Sequence, residues 1–194
     1  MHDTVNRGSE AAGIREVRHQ LLAGAEGATI EIDAGTGLNL AHYPEAVTRL
    51  VVSEPDQHMR RRLQQRVDAL GRSVEVIDAP AERLPFADAT FDTAVLTLVL
   101  CSVPNQGAAL AEIARVLKVN GRLLFLEHVR SDDPKVAKRQ DRIRPLYNLV
   151  GCNPNRATLA AIEASSLTVE SVKHGEIPKA PKVARPLIVG AARR

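Results

Sequence analysis

The sequence predicts a doubly wound α/β domain, and three observations carry that prediction. Short apolar runs alternate with segments of helical periodicity along most of the chain. The runs are nearly continuous in apolar residues, as parallel strands buried on both faces are. The first run leads straight into a glycine turn, Asp33-Ala34-Gly35-Thr36-Gly37. Alternation of this kind winds helices onto both faces of one sheet.

The elements follow in order. A helix is expected over about 10–22. Strands are expected at 28–33, 50–54 and 73–77, within 91–100, and at 122–128. Between the second and third strands, Met59, Leu63, Val67 and Leu70 form one apolar stripe; Asp56 is placed to cap that helix and Gly71 to end it. Leu110, Ile113, Ala114 and Leu117 form a second stripe, closed by Asn120-Gly121. Asp133-Pro134 starts a helix reaching about 149. Asn155 is placed to start another, carrying Leu159 and Ile162. Two late strands, 168–173 and 186–192, are joined by a loop rich in Pro and Lys. The chain of 194 residues suits one domain. Its expected parts are a helical cap (1–27) and a core (28–194) with a substrate-side insert at about 131–166.

Composition narrows the function classes. Hydrophobic residues are 44% and charged residues 25%, ordinary for a globular protein, while aromatics are only 3%. The core is therefore expected from Leu, Val, Ile and Ala. A net charge of +3, dispersed along the chain, does not argue for nucleic acid. The basic stretch 135–144 reads as a solvated helix face. Cys101 and Cys152 belong to no CxxC pair, and the six histidines are scattered, so no metal is expected. No apolar run approaches the roughly 18 residues that span a bilayer. The N-terminus is polar, and a soluble, cytoplasmic protein is expected. Oligomeric state is not legible.

In open α/β sheets ligands bind beyond the carboxyl ends of the strands. After the first strand, Gly35 and Gly37 let backbone approach a ligand. A dinucleotide fingerprint needs a further glycine where Leu40 stands, so the nicotinamide reading fails on spacing. Glu54 closes the second strand. Its carboxylate can accept from both hydroxyls of a ribose, or stand as a surface acid at a strand end.

Several motifs in order then carry a resemblance. They are "EIDAGTG", Glu54, "AERLPF" followed by "FD", "LAEIARVLKVNGRLLFLEH" and a late strand pair ending in "RPLIVGAAR". Together they resemble the class I S-adenosylmethionine-dependent methyltransferases, in the branch of the ubiquinone/menaquinone C-methyltransferases. The "LVLCSVP" and "EHVRSDDP" blocks look like those of small bacterial members, which also resemble mammalian membrane-associated thiol methyltransferases. The resemblance covers about residues 28–192. It implies a Rossmann-like, seven-stranded sheet of order 3-2-1-4-5-7-6 with strand 7 antiparallel. It implies S-adenosyl-L-methionine as cofactor and a small-molecule acceptor. Carried over by position, Glu31, Asp33, Ala34, Gly35, Thr36 and Gly37 wrap the methionine part and Glu54 holds the ribose. Pro55 and Met59 pack on the adenine, with Ala81 and Glu82 at its edge. Thr97, Leu98 and Val99 lie beneath the cofactor. Cys101, Arg130, Tyr147, Asn155 and Arg156 are substrate-side candidates. His128 is the one candidate base, or a histidine hydrogen-bonded at a strand end. Cys101 reads equally as a buried, space-filling thiol, and Arg156 as a residue that stitches loops.

The sequence departs from the family pattern at three places. Asp33 replaces the first glycine of GxGxG, where a carboxylate attracts the cofactor's amino group and repels its carboxylate. Pro80 replaces an aspartate that many relatives direct at the adenine. Asn120 replaces a turn glycine, and asparagine tolerates positive φ. Asp33 motivates a second reading, a methyltransferase-fold protein without catalysis that binds or regulates.

Overall fold

A computed structural model describes residues 8–149 and 151–194. The polar stretch through Arg7 lies outside the described residues. Strands β1 (Gly27–Ile32), β2 (Val47–Ser53), β3 (Glu75–Ile77), β4 (Phe91–Thr97), β5 (Leu117–His128), β6 (Thr168–Glu176) and β7 (Pro186–Arg193) form one sheet. Its order is β3-β2-β1-β4-β5-β7-β6. β1 pairs in parallel with both β2 and β4, and β7 runs antiparallel to β5 and β6. The winding reverses between β1 and β4. A crevice therefore opens where their carboxyl ends diverge, beyond Ile32 and Thr97.

The two faces of the sheet bury separate cores. Ile30, Ile32, Leu96 and Phe125 pack with Leu110 and Ile113 of helix α3 (Gln106–Val116) and Ile162 of α5 (Thr158–Glu163). Val52, Val95 and Leu124 pack with Leu22 of α1 (Arg15–Leu22) and with Leu63 and Val67 of α2 (Gln57–Leu70). Each such side chain fully withdrawn from water contributes about 1.5–3 kcal/mol. α2 keeps both expected ends: Asp56 accepts the N–H of Met59 at 2.8 Å, and Gly71 closes it at φ 67°. α4 (Pro134–Asn148) is capped by Asp133, which accepts from the Lys135 N–H.

Some boundaries differ from expectation. The first helix is broken: Gly13, at φ 138°, kinks the chain inside a wide π turn (Glu10–Ile14) that leads into α1. α3 ends at Val116, because Leu117 turns extended and already pairs with Phe91. Asn120-Gly121 therefore lies inside β5, with Asn120 at the positive φ (64°) that asparagine accepts. α5 starts at Thr158. Asn155 does not cap it; its side-chain amide donates to Asp141 Oδ1 at 2.9 Å.

Candidate functional site

The glycine turn is stitched to the neighbouring strand. Ala34 N–H donates to the Ser53 carbonyl at 2.8 Å, and Asp33 N–H to Ser53 Oγ at 3.2 Å. Glu54, buried at the end of β2, closes the gap with both oxygens. Oε2 accepts the Gly35 N–H at 2.7 Å and Oε1 the Asp56 N–H at 2.8 Å. Gly35 and Gly37 both have positive φ, 59° and 82°, but for different reasons. A Cβ on Gly35 meets nothing within 4 Å, so that side of the turn is open. A Cβ on Gly37 lies 2.7 Å from Leu63 Cδ1 and 2.8 Å from Leu40 Cδ1. Gly37 thus lets the turn pack on α2, and Gly35 leaves room above it.

Asp33 occupies left-handed backbone at φ 50°, which aspartate visits more readily than most residues. Its Oδ1 is buried and has no hydrogen-bond partner among the described residues. Burial first, then the nearby Glu54 and Glu82 carboxylates, push its pKa up to about 7. Burial likewise raises Glu54. Glu82 also accepts the Asn105 N–H, at 3.1 Å. The turn therefore gathers acceptors and negative charge, an arrangement that favours a cationic donor. Ala81 is buried beside Glu82, while Pro55 is exposed and Met59 half-buried beyond β2.

Glu31 sits deeper than the turn. Its Oε1 accepts from Asn39 at 2.9 Å and its Oε2 from the Tyr43 hydroxyl at 2.7 Å. Asn39 also donates to Thr97 Oγ1 at 3.0 Å and accepts from Arg18 at 2.8 Å, while Arg18 pairs with Glu10. Burial lifts the Glu31 pKa to about 7. This network ties α1, the turn and the end of β4 together. Arg18, Asn39 and Tyr43 carry no motif.

Beyond Thr97 the chain turns at Leu98, whose φ is 62°. Glu127 holds this turn: its oxygens accept the N–H groups of Val99 at 2.9 Å and Leu100 at 3.1 Å. Glu127 is fully buried and burial raises its pKa to about 8. A charge inside the apolar run "LLFLEH" is the sequence signal for Glu127. Next to it, His128 is buried with Nδ1 3.6 Å from Cys152 Sγ, and its Nε2 has no partner among the described residues. Cys101 Sγ, a ring nitrogen of His128 and Cys152 Sγ all lie within 4.8 Å of one another. Cys101 Sγ donates to the Leu98 carbonyl at 3.6 Å. The nearby Cys101 thiol first, then His128, lower the Cys152 pKa to about 5. These thiols and this imidazole are scattered in sequence and meet only through the fold.

The other substrate-side candidates are engaged by protein partners. Arg130 forms a two-pronged pair with Asp141, at 2.5 and 2.8 Å. Arg156 donates to the carbonyls of Leu100 and Val103, both at 2.6 Å, and so stitches the loop after β4. Tyr147 is half-buried, and its carbonyl accepts the Cys152 N–H. No helix among the described residues is long and apolar enough to cross a membrane.

Residues 30–125 match the protein family described as "Methyltransferase domain". The chain is 32% identical over 182 residues to human thiol S-methyltransferase TMT1A, covering 89% of this chain and 74% of that protein. It is 37% identical over 123 residues to human thiol S-methyltransferase TMT1B, covering 59% of this chain and 50% of that one. Among solved structures it is similar to a geranyl diphosphate C-methyltransferase from Streptomyces coelicolor A3(2), in complex with Mg2+, geranyl diphosphate and S-adenosyl-L-homocysteine. That likeness has a TM-score of 0.72 at 14% identity, over 92% of this chain and 77% of that one, and it speaks to the fold.

Proposed function

Since this chain belongs to the S-adenosylmethionine-dependent methyltransferases, we propose that it transfers the methyl group of that cofactor to a small thiol. The observation that carries the cofactor part is the buried, unpartnered Oδ1 of Asp33 beside the open face of Gly35. An acceptor there suits the α-ammonium of the methionine part. Gly35 leaves room for the cofactor to lie against backbone. Glu54 keeps lone pairs beyond those used by Gly35 and Asp56, and these suit ribose hydroxyls. Pro55, exposed, and Met59, half-buried beyond β2, suit the adenine face.

When bound, S-adenosylmethionine supplies a methyl group on a sulfonium that departs as a neutral thioether. The protein's own task is then to orient, exclude water and take a proton. Thr97 is fixed by Asn39, and Val99 by Glu127, so the floor beyond β4 is rigid. The similarity to human thiol S-methyltransferases supports a thiol as the acceptor. The test is transfer of labelled methyl from the cofactor across a panel of small thiols, phenols and quinone precursors. Product with thiols alone is expected. Methylation confined to phenols or quinone precursors would overturn the thiol assignment.

A further inference from the structure

Beyond this reading, we propose that Cys101, His128 and Cys152 form a binding site for a thiophilic divalent cation of the zinc class. The donor set is two thiols and one imidazole, which is the combination that such an ion selects over magnesium or calcium. All three donor atoms lie within 4.8 Å of one another, and Cys152 Sγ lies 3.6 Å from His128 Nδ1. A tetrahedral zinc with bonds of about 2.3 Å to sulfur and 2.0–2.1 Å to nitrogen sets those two atoms about 3.6 Å apart. The sulfur–nitrogen edge is therefore already present. The two sulfurs need an edge of about 3.8 Å by the same bond lengths, within the range the fold already holds.

The donors come from three separate elements, and backbone bonds fix each. Cys101 follows the turn pinned by Glu127, and its carbonyl accepts from both the backbone N–H and the side chain of Asn153, at 2.8 and 3.2 Å. Cys152 N–H is held by the Tyr147 carbonyl at 3.1 Å. His128 ends β5, where it pairs with Leu187 of β7. Ligands held this way need little ordering when an ion enters.

A satisfied structural histidine does not account for the imidazole. It is buried, and the hydrogen-bonding neighbour of Nδ1 is the Cys152 sulfur rather than an oxygen or nitrogen of the protein. Among the described residues the cluster consists of these three donors, with no fourth histidine, cysteine or carboxylate. Three protein donors leave one tetrahedral position for an exogenous ligand, as in ion sites that act on a bound molecule.

The test is a titration of the full, chemically reduced chain with Co2+, which reports sulfur coordination by its absorption. Saturation at one ion per chain is expected, with a sulfur-to-cobalt charge-transfer band and intense tetrahedral visible bands. Zn2+ is expected to displace them. Cys152→Ser, at a half-exposed position, is expected to weaken Co2+ at least roughly tenfold, the scale seen even for outer-shell changes. In the unmodified chain, Zn2+ is expected to shield Cys152 from iodoacetamide, read by mass spectrometry. Absence of the charge-transfer band, a band unchanged in Cys152→Ser, or equal alkylation with and without Zn2+ would each overturn the site. None of these readouts depends on methyl transfer or cofactor binding.

Discussion

Glu54 reaches across from the end of β2 and accepts the backbone N–H of Gly35, at 2.7 Å. One carboxylate thus shapes the turn after β1 while its other oxygen shapes the entry to α2. The turn is defined by this bond as much as by its glycines. Glu54→Ala removes a charged acceptor from two N–H groups, and hydrogen bonds of that kind contribute about 1.5–3 kcal/mol. We expect affinity for S-adenosylhomocysteine to fall about tenfold to a hundredfold, measured by calorimetry. Affinity within twofold of the parent would contradict this role.

The two glycines of the turn should separate by experiment. Gly37→Ala places a methyl 2.7–2.8 Å from Leu63 and Leu40 in left-handed backbone. We expect a loss of about 2–5 kcal/mol in urea unfolding. Gly35→Ala meets no atom within 4 Å. It should cost only the left-handed backbone strain of about 1–2 kcal/mol, yet weaken the cofactor by obstructing its path. Equal stability losses for the pair would remove the distinction.

Asp33 keeps its proton up to about pH 7 in the folded chain, against about 4 when unfolded. Between those values the folded state binds the extra proton, so the contribution of Asp33 to stability falls as pH rises and levels off above 7. Asp33→Asn removes that loss. The variant should melt above the parent at pH 8, by roughly 2–4 °C for each kcal/mol relieved. The gap should narrow toward pH 5. A constant gap across that range would refute the assignment to Asp33.

Cofactor binding should run the other way. The ionised form of Asp33 is the one that attracts an ammonium, so affinity for S-adenosylhomocysteine should tighten as pH rises from 6 to 8. The slope should vanish in Asp33→Asn, which isolates Asp33 from Glu31, also raised to about 7. An identical slope in both chains would place the titration elsewhere.

Glu127 anchors two buried N–H groups at once. Glu127→Ala leaves Val99 and Leu100 without an acceptor, a cost of about 1–3 kcal/mol for each group. We expect a total loss of about 2–6 kcal/mol in urea unfolding. A loss below 0.5 kcal/mol, on the scale of an ordinary surface change (about ±0.5), would show that the turn holds itself.

The sheet was legible because its strands are continuous apolar runs, and the cap at Asp56 and stop at Gly71 were legible because their residue types act locally. The site was legible only in outline. The strand ends and the glycine turn follow from the fold class, so Asp33, Gly35 and Glu54 could be placed. Arg18, Asn39 and Glu31 join through side chains that are remote in sequence, and no local period records them. Cys101, His128 and Cys152 come from β4's outgoing loop, the end of β5 and the segment before α5. No ligand spacing exists for a cluster assembled that way. The ends of α3 and α5 were misplaced because pairing of Leu117 and the bond from Asn155 to Asp141 override local helix signals.

The central claim is that the turn after β1, with Asp33 in place of a glycine, holds the cofactor. It is tested most directly by calorimetric titration of the parent chain with S-adenosylhomocysteine. The account expects saturable binding at one molecule per chain, weakened by both Glu54→Ala and Gly35→Ala. No saturable heat up to millimolar ligand, from a chain shown to be folded, would contradict it.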